Sequence, residues 1–275
     1  MSAASIDAQF REVRHRPSEL EHRYGPGVHL LADPAALALL ARLGAKGVNQ
    51  PEVGVLCATL YRSLIQTVLA AEFPRRVVAS QTRMIDATPR GVWTGDVVAA
   101  DTTTVVVALA RAGLVPAQVT YDFLNLLLDP SRVRQDHLSL GRQTDADGRV
   151  TGVRLDAAKV GGPVDGAMVL IPDPMGATGG TVNTALGHYH DNLGGRPRAV
   201  IAMHLVVTPE YLRQVRERHP EVIVYAFRLD RGLSSPDVLQ TIPGTRWAEE
   251  RGLTDHHYIV PGAGGLGEVL NNSWA

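Results

Sequence analysis

The sequence is poor in cysteine, in net charge and in long apolar runs. Cys57 is the single cysteine among 275 residues, which excludes an intramolecular disulfide and a cysteine-based zinc cluster. The 27 basic and 28 acidic side chains leave a formal charge of −1, which argues against a general nucleic-acid binder. The N-terminus shows no signal-peptide pattern, and no apolar run approaches the ~20 residues that span a bilayer. We therefore expect a soluble cytoplasmic protein with neither a nucleic-acid nor a membrane partner.

The chain does contain enough apolar residues for a large core. Hydrophobic residues make up 45% of it and charged residues 20%, close to the average for globular proteins. A chain of this length buries roughly three quarters of the surface of its unfolded state, so it needs no disulfide or metal to hold it together. Ample apolar content with almost no net charge also excludes disorder over most of the chain.

From residue 97 onward, apolar runs alternate with segments of helical spacing. The sequence predicts strands at 103–109, 137–141, 167–172, 199–207 and 222–227, and helices at 114–128, 182–193 and 209–219. Strands that alternate with helices through short links form βαβ units, and strands buried on both faces are continuously apolar. The predicted fold is therefore an α/β fold with a mostly parallel central sheet flanked by helices.

Other stretches do not follow this alternation. The first ~95 residues look mainly helical by apolar spacing, with a helix at 34–43 capped by Asp33 and a long amphipathic helix at 51–73. Residues 143–166 are rich in Asp and Gly, which predicts a mobile hairpin or flap. Residues 233–255 resemble an insertion before the last strand.

The most informative segment is VLIPDPMGATGGT, residues 169–181. A predicted buried strand ends at Asp173, and a glycine-rich turn, residues 177–181, opens a helix. The free N–H groups and the dipole at a helix start favour an anion. At this edge of an open α/β sheet, where ligands bind, Asp173 can accept hydrogen bonds from two hydroxyls of a sugar.

Residues within the turn fit a phosphate as well. Gly179 and Gly180 have no Cβ, so the backbone can approach a phosphate closely, and Thr178 and Thr181 add hydroxyl donors. No lysine follows the glycines, which excludes a Walker A loop, and the Gly-x-Gly-x-x-Gly dinucleotide pattern is absent. The alternative is a plain strand–turn–helix corner whose glycines serve close packing.

Three segments, in order and spacing, resemble the uracil phosphoribosyltransferase family. DPMGATGGT, residues 173–181, resembles that family's loop for 5-phosphoribosyl 1-pyrophosphate (PRPP), and LARAGL, residues 109–114, is similar to its pyrophosphate loop. YIVPGAG, residues 258–264, resembles its uracil-binding segment. The resemblance covers residues 29–275 and implies a phosphoribosyltransferase-like fold, with residues 1–28 as an N-terminal extension and 233–255 as an insertion.

The resemblance also implies roles for individual residues. Arg111 and Arg142 would hold the pyrophosphate from two sides and Asp173 would bind the ribose hydroxyls, and these three would be the catalytic residues. The PRPP-binding set would be Arg111, Arg142, Asp173, Pro174, Met175, Gly176, Ala177, Thr178, Gly179, Gly180, Thr181 and Gly265. The base-binding set would be Tyr258, Ile259, Gly264, Gly265 and Leu266. Family members use Mg²⁺ carried by PRPP rather than by protein ligands, and they form homodimers or larger homo-oligomers.

Several positions depart from the family pattern. Gly265 stands where the family has an aspartate that contacts PRPP, and Leu266 replaces a small alanine beside the base, while Glu268 preserves an acid. Gln143 and Thr144 replace two acids after the flap arginine. Three functions therefore stay open: transfer to uracil, transfer to another nucleobase or aromatic acceptor, and a non-catalytic regulator that senses PRPP or a nucleotide.

The histidines give weaker signals. His188 and His190 flank Tyr189, and residues two apart on a helix face different directions, so this pair is a poor metal chelate. His257 adjoins the base segment and would either contact the base or act as a surface or capping residue. Cys57 lies on the apolar face of the long helix and is read as a small hydrophobic residue.

Overall fold

The computed structural model describes residues 7–144, 150–192 and 194–273, with the backbone alone at positions 142, 144, 150 and 151. The strands are β1 (Val28–Leu30), β2 (Arg75–Gln81), β3 (Val92–Val98), β4 (Thr104–Ala110), β5 (Val133–Thr144), β6 (Val150–Lys159), β7 (Met168–Pro172), β8 (Met175–Gly176), β9 (Ala199–Val207) and β10 (Ile223–Leu229). The helices are α1 (Pro34–Leu43), α2 (Glu52–Glu72), α3 (Leu114–Leu127), α4 (Gly180–Asn192), α5 (Pro209–Arg218), α6 (Pro236–Leu239) and α7 (Leu266–Asn271).

The central sheet has the strand order β1-β10-β9-β7-β4-β5-β6, and β8 also pairs with β9. Neighbouring strands run parallel, with β6 antiparallel to β5. This confirms the predicted α/β fold with a mostly parallel sheet. The carboxyl ends of β4, β7 and β9 therefore meet at one edge, where ligands of such sheets bind.

The core lies on both faces of this sheet. Along β4, Val106 and Ala108 pack into one apolar cluster with α1, α2, α3 and α7, while Val105 and Val107 pack into a second cluster with α4 and α5. Since both faces are covered, the central strands are continuously apolar rather than alternating.

The long helix α2 is apolar enough, by length and composition, to cross a membrane, which the apolar runs of the sequence did not indicate. Nine of its 21 residues are buried, from Val53 to Leu69. Cys57 is one of them, and burial raises the pKa of its thiol to about 12. The spacing of these residues gives one continuous face, so packing in the core accounts for the apolar composition of the helix.

Many predicted elements match the structure closely. α1 and β9 have the predicted bounds, and the Asp33 carboxylate caps α1 by accepting hydrogen bonds from the N–H groups of Ala35 and Ala36, both at 3.0 Å. α4 begins two residues earlier than predicted, at Gly180, and the predicted last residue, Leu193, lies outside the described residues.

The expectation of a mainly helical start was wrong in part. β2 and β3 form an antiparallel hairpin outside the central sheet, and β1 is an edge strand of that sheet. Most residues of β2 are exposed, so the strand lacks the apolar pattern that sequence reading depends on.

The predicted flap and its preceding strand also need correction. The hairpin begins at Val133 rather than near residue 143, and β5 has 12 residues where a short strand at 137–141 was expected. Asp136 interrupts the apolar pattern, yet it is fully buried: it pairs with Arg134 at 3.1 Å and accepts a hydrogen bond from the Tyr189 hydroxyl at 2.8 Å. Predicted flap residues 145–149 lie outside the described residues.

The predicted last strand was also wrong. The segment from Tyr258 to Gly264 has bends and irregular backbone, with a single antiparallel bridge between Leu253 and Ile259. Gly262 and Gly264 have φ values of 62° and 69°, a left-handed conformation that breaks strand geometry and suits glycine.

The N-terminal segment packs against the 233–255 insertion. The ring of Tyr24 meets the ring of Trp247 edge-on at 4.9 Å, and the N–H of Arg23 donates to the Pro243 carbonyl at 2.7 Å. The predicted domain boundary, between residues 28 and 29, falls within β1, and the division itself stays a prediction.

A buried carboxylate joins these two segments. Glu250 is fully buried and accepts hydrogen bonds from the Tyr24 hydroxyl, from Arg231 Nη1 at 2.8 Å and from the Gly244 N–H at 2.8 Å. A buried charge is tolerated only when it is paired and hydrogen-bonded, so the Glu250 carboxylate depends on all three donors.

We predict that Tyr24→Phe lowers the free energy of unfolding by about 1.5–3 kcal/mol, because it removes a hydrogen bond to a buried charge. Urea denaturation measures this. Tyr258→Phe is the matched control, since its side chain is 50% exposed, and should change stability by less than ~0.5 kcal/mol. Equal stability of Tyr24→Phe and the wild type would show that Glu250 does not need the hydroxyl.

Candidate functional site

A cleft of about 540 Å³ opens at the carboxyl edge of the sheet. It is bounded by the loop after β4, the end of β7, the turn before α4, the C-terminal segment and the β5–β6 hairpin. The sequence-predicted residues that line it are Arg111, Asp173, Met175, Ala177, Thr178, Gly179, Thr181, Tyr258, Ile259, Gly264, Gly265 and Leu266. The structure thus brings the three motifs, which are distant in sequence, around one space.

Arg111 lies in the tight loop between β4 and α3. The Gly113 N–H donates to the Leu109 carbonyl at 2.9 Å, and a Cβ on Gly113 would lie 2.7 Å from that carbonyl oxygen and 3.1 Å from the Pro172 carbonyl oxygen. Glycine at 113 therefore lets the loop close against the end of β7. The Arg111 side chain is 46% exposed, and its Nη1 donates to the Ser273 hydroxyl at 2.6 Å.

Asp173 follows the buried strand β7 directly. Its backbone N–H donates to the Met203 carbonyl at 3.1 Å, which continues the sheet by one residue, and its carboxylate faces the cleft. Burial raises the pKa of this carboxyl to about 6, and a long contact with the Met175 N–H, at 3.5 Å, opposes the shift only weakly. The protein therefore holds a carboxylate where ionisation is costly.

A buried histidine fixes the backbone at this position. His204 Nδ1 contacts the Asp173 carbonyl oxygen, and His204 Nε2 lies 2.6 Å from the Tyr211 hydroxyl. Burial lowers the pKa of His204 to about 4, so the ring is neutral at pH 7. A carbonyl only accepts, so Nδ1 carries the proton and Nε2 accepts from Tyr211.

The turn before α4 is packed tightly by neighbouring side chains. Gly179 has a φ of 82°, which suits glycine, and a Cβ on Gly180 would lie 2.9 Å from Cγ2 of Val153 in β6. The Thr178 hydroxyl accepts a hydrogen bond from the Gly180 N–H at 3.3 Å. These glycines thus serve close packing, which is the role that a plain strand–turn–helix corner would give them. The first turn of α4 still lies at the cleft, which Thr181 and Val182 line, so its dipole favours an anion there.

The other predicted residues have different positions. Pro174, Gly176 and Gly180 support the turn: the Pro174 carbonyl accepts from the N–H groups of Leu205 and Val206, both at 3.1 Å, and Gly176 pairs with β9. Arg142 lies in β5 opposite Val153, and its side chain is outside the described part of the structure. The binding and catalytic roles stay predictions.

Sequence reasoning missed part of the lining. Leu140, Gly141 and Val153 come from the hairpin, and Tyr211 comes from α5. No local pattern marks them, because they reach the cleft only through tertiary packing. Glu268 and His257 also line it, and for both the sequence offered a partial signal: an acid in the base loop, and a histidine beside it.

The remaining histidines do not join the cleft lining. His188 lies 3.2 Å from the Asn192 amide nitrogen, and His190 pairs with Asp191 at 3.0 Å. Across residues 7–144, 150–192 and 194–273, no three His, Cys, Asp or Glu side chains are grouped so that they could hold a metal ion.

Comparisons with known proteins agree with the family resemblance. The family described as "Uracil phosphoribosyltransferase" has a model that matches residues 30–246, which leaves the 258–264 segment beyond the match. The uracil phosphoribosyltransferase of Mycoplasma genitalium is 28% identical over 60% of this chain and 65% of its own length. That of Streptococcus equi subsp. zooepidemicus is 36% identical over 39% of this chain and 40% of its own length. The matches thus span less than two thirds of either relative.

A solved structure shows the same fold over nearly the whole chain. The AQ2163 protein from Aquifex aeolicus superposes with a TM-score of 0.65 at 21% identity, and the match covers 88% of this chain and 97% of that one. At this level of identity, the likeness concerns the fold.

We predict that Asp173→Asn stabilises the ligand-free protein at pH 7.5 by at most about 3 kcal/mol, because a carboxyl with its pKa near 6 destabilises the native state once ionised. The unfolded carboxyl ionises near pH 4, so the gain should grow between pH 4 and pH 6 and stay constant above. Urea denaturation across this range measures it.

The control for this measurement is Asp101→Asn, on a side chain 68% exposed, which should change stability by less than ~0.5 kcal/mol at each pH. A gain that is the same at pH 4 and pH 7.5, or a loss at pH 7.5, would show that burial does not oppose ionisation of Asp173.

Proposed function

Since the chain belongs to the uracil phosphoribosyltransferase family, we propose that it transfers the 5-phosphoribosyl group of PRPP to uracil, giving UMP and pyrophosphate. The observation that supports this most directly is the convergence of Arg111, Asp173 and the turn before α4 on one cleft. A cation, a carboxylate and a helix start match in kind the three parts of PRPP: pyrophosphate, ribose hydroxyls and 5′-phosphate.

In this proposal each group acts by position and charge. The bond from ribose C1 to the pyrophosphate oxygen breaks as uracil N1 bonds to C1, and the N1 proton passes to water or to the departing pyrophosphate. The leaving pyrophosphate gathers negative charge, which the guanidinium of Arg111 stabilises. Asp173, whose backbone carbonyl contacts His204, accepts hydrogen bonds from the ribose hydroxyls. These bonds fix C1 relative to the base.

Mg²⁺ fits the cleft as a companion of the substrate. The lining includes two carboxylates, Asp173 and Glu268, and the described residues contain no metal-binding group of three. Magnesium in phosphate chemistry is usually held by substrate phosphates, water and one or two carboxylates, so this donor set suits it. When bound, Mg²⁺ neutralises part of the pyrophosphate charge. Asp173 is the side chain that would face it, because the Glu268 carboxylate pairs with Arg111.

The altered base loop bears on the acceptor. Leu266 is only 2% exposed and belongs to the apolar cluster beneath α2, so the core absorbs most of its extra bulk. This favours uracil over a larger acceptor. Glycine at 265, where the family has an aspartate, supports a second candidate, transfer to a different nucleobase or aromatic acceptor, because the loop lacks that carboxylate.

The proposal extends to context. By the family resemblance, the protein would act as a homodimer or a larger homo-oligomer in the cytoplasm. Light scattering on the purified protein tests the assembly, and a monomeric mass would contradict that part of the proposal.

We predict pyrophosphate release from PRPP and Mg²⁺ in the presence of uracil, with UMP as the second product and no release without a base. Arg111→Ala should lower kcat on the order of 10²–10³-fold, because it removes a donor to the leaving group. Arg76→Ala is the control: it is 48% exposed, pairs with Asp101 and lies on the β2–β3 hairpin. It should react like the wild type.

Two further results separate the candidates. Pyrophosphate release with cytosine or an aromatic acid, but not with uracil, would favour the second candidate, a different nucleobase or aromatic acceptor. No release with any base, together with a rise in Tm on adding PRPP, would favour a regulator that binds without turnover.

A further inference from the structure

Gly265 is a glycine for reasons of space rather than of backbone conformation. Its φ is −77°, which any residue adopts, whereas its neighbour Gly264 has a φ of 69°, which suits glycine. Around Gly264 an added Cβ would meet no atom within 4 Å, but a Cβ on Gly265 would overlap Oε2 of Glu268 and lie 3.1 Å from its Cδ. The side chain of Glu268 therefore occupies the space that any other residue at 265 would need.

The backbone sets this arrangement within one turn. The Glu268 N–H donates to the Gly265 carbonyl at 3.0 Å, at the start of α7. The carboxylate folds back over position 265 and lines the cleft, with its side chain 34% exposed.

From this position Glu268 reaches Arg111. Its Oε1 lies 3.7 Å from Nη2 of Arg111, while Nη1 of Arg111 donates to the Ser273 hydroxyl at 2.6 Å. The Ser273 N–H in turn donates to the Glu268 carbonyl at 3.0 Å. One short C-terminal segment thus contacts the Arg111 guanidinium twice, through a hydrogen bond at Nη1 and an ion pair at Nη2.

We propose that Glu268 is a positioning residue for Arg111 and that Gly265 provides the space its carboxylate requires. This deepens the proposed function and rests on it. A long, half-exposed arginine loses rotamer freedom when it grips an anion, so holding it beforehand lowers the cost of binding. The carboxylate also repels an anion, and solvent screens this repulsion as it screens the pair with Arg111, so the proposal requires the gain from positioning to exceed the repulsion.

We predict that Glu268→Ala and Gly265→Ala each weaken binding of magnesium pyrophosphate ~10-fold, because both release Arg111. Isothermal calorimetry measures this, and the KM for PRPP should rise more than kcat falls. The double variant should bind no more weakly than the worse single variant, because both changes remove the same contact.

Two variants control the experiment. Glu268→Gln keeps the shape but removes the charge that pairs with Arg111, so it should bind between the wild type and Glu268→Ala. Gly187→Ala adds a Cβ where no atom lies within 4 Å, so it should bind like the wild type. Thermal melting without ligand confirms that each variant folds.

The outcomes separate the two proposals. Tighter binding in both Glu268→Ala and Glu268→Gln would show that repulsion dominates and would overturn the role of Glu268. Independent, multiplicative losses from the two alanine variants would overturn it as well, while leaving the proposed function intact. A wild-type protein that binds neither pyrophosphate nor PRPP would overturn the proposed function and this inference with it.

Discussion

The site depends on a carboxylate held where ionisation is unfavourable. Asp173 follows a strand whose five residues are all buried, and desolvation of its own carboxyl raises the pKa of that group to about 6. Such a position persists only if the backbone around it is fixed, and His204, neutral and fully buried, fixes it through the Asp173 carbonyl. The same histidine is tied to α5 through Tyr211, so the helix, two strands and the turn before α4 share one constraint. The ionised carboxylate lowers the stability of the ligand-free protein, and a ligand that forms hydrogen bonds with it would restore that stability.

The two departures from the family pattern in the base loop, at positions 265 and 266, affect the cleft to different degrees. Leu266 changes the cleft little, because its side chain is in the core. Gly265 changes more, because its missing side chain leaves room for the carboxylate of Glu268, one turn further on. The base loop therefore retains an acid facing Arg111, presented by a different residue. The aligned residues already show an acid kept at 268, and the geometry adds that this acid faces Arg111.

The sequence was most informative where burial is uniform. β9 could be predicted to the residue, because a strand covered on both faces is a continuous apolar run. β2 could not, because its side chains are mostly exposed, and β5 was underestimated because Asp136 is polar yet buried through its partners. In the cleft, Arg111 and Asp173 follow from local motifs. The contacts of Glu268 with Arg111 and of Val153 with Gly180 join distant segments. The contact of His204 with Tyr211 spans seven residues but crosses from a strand to a helix, so no local pattern reveals any of the three.

The position of β1 has a consequence for biosynthesis. β1 ends at residue 30, but its partner in the sheet is β10, which begins at residue 223. The Tyr24 hydroxyl likewise forms its hydrogen bond with Glu250, 226 residues later in the chain. On the ribosome, the first strand leaves the exit tunnel long before any surface exists to receive it, since domains made vectorially acquire contacts in chain order. Residues 24–30 therefore stay without these partners until residues 223–250 have been made, and their docking comes late in the folding of the domain.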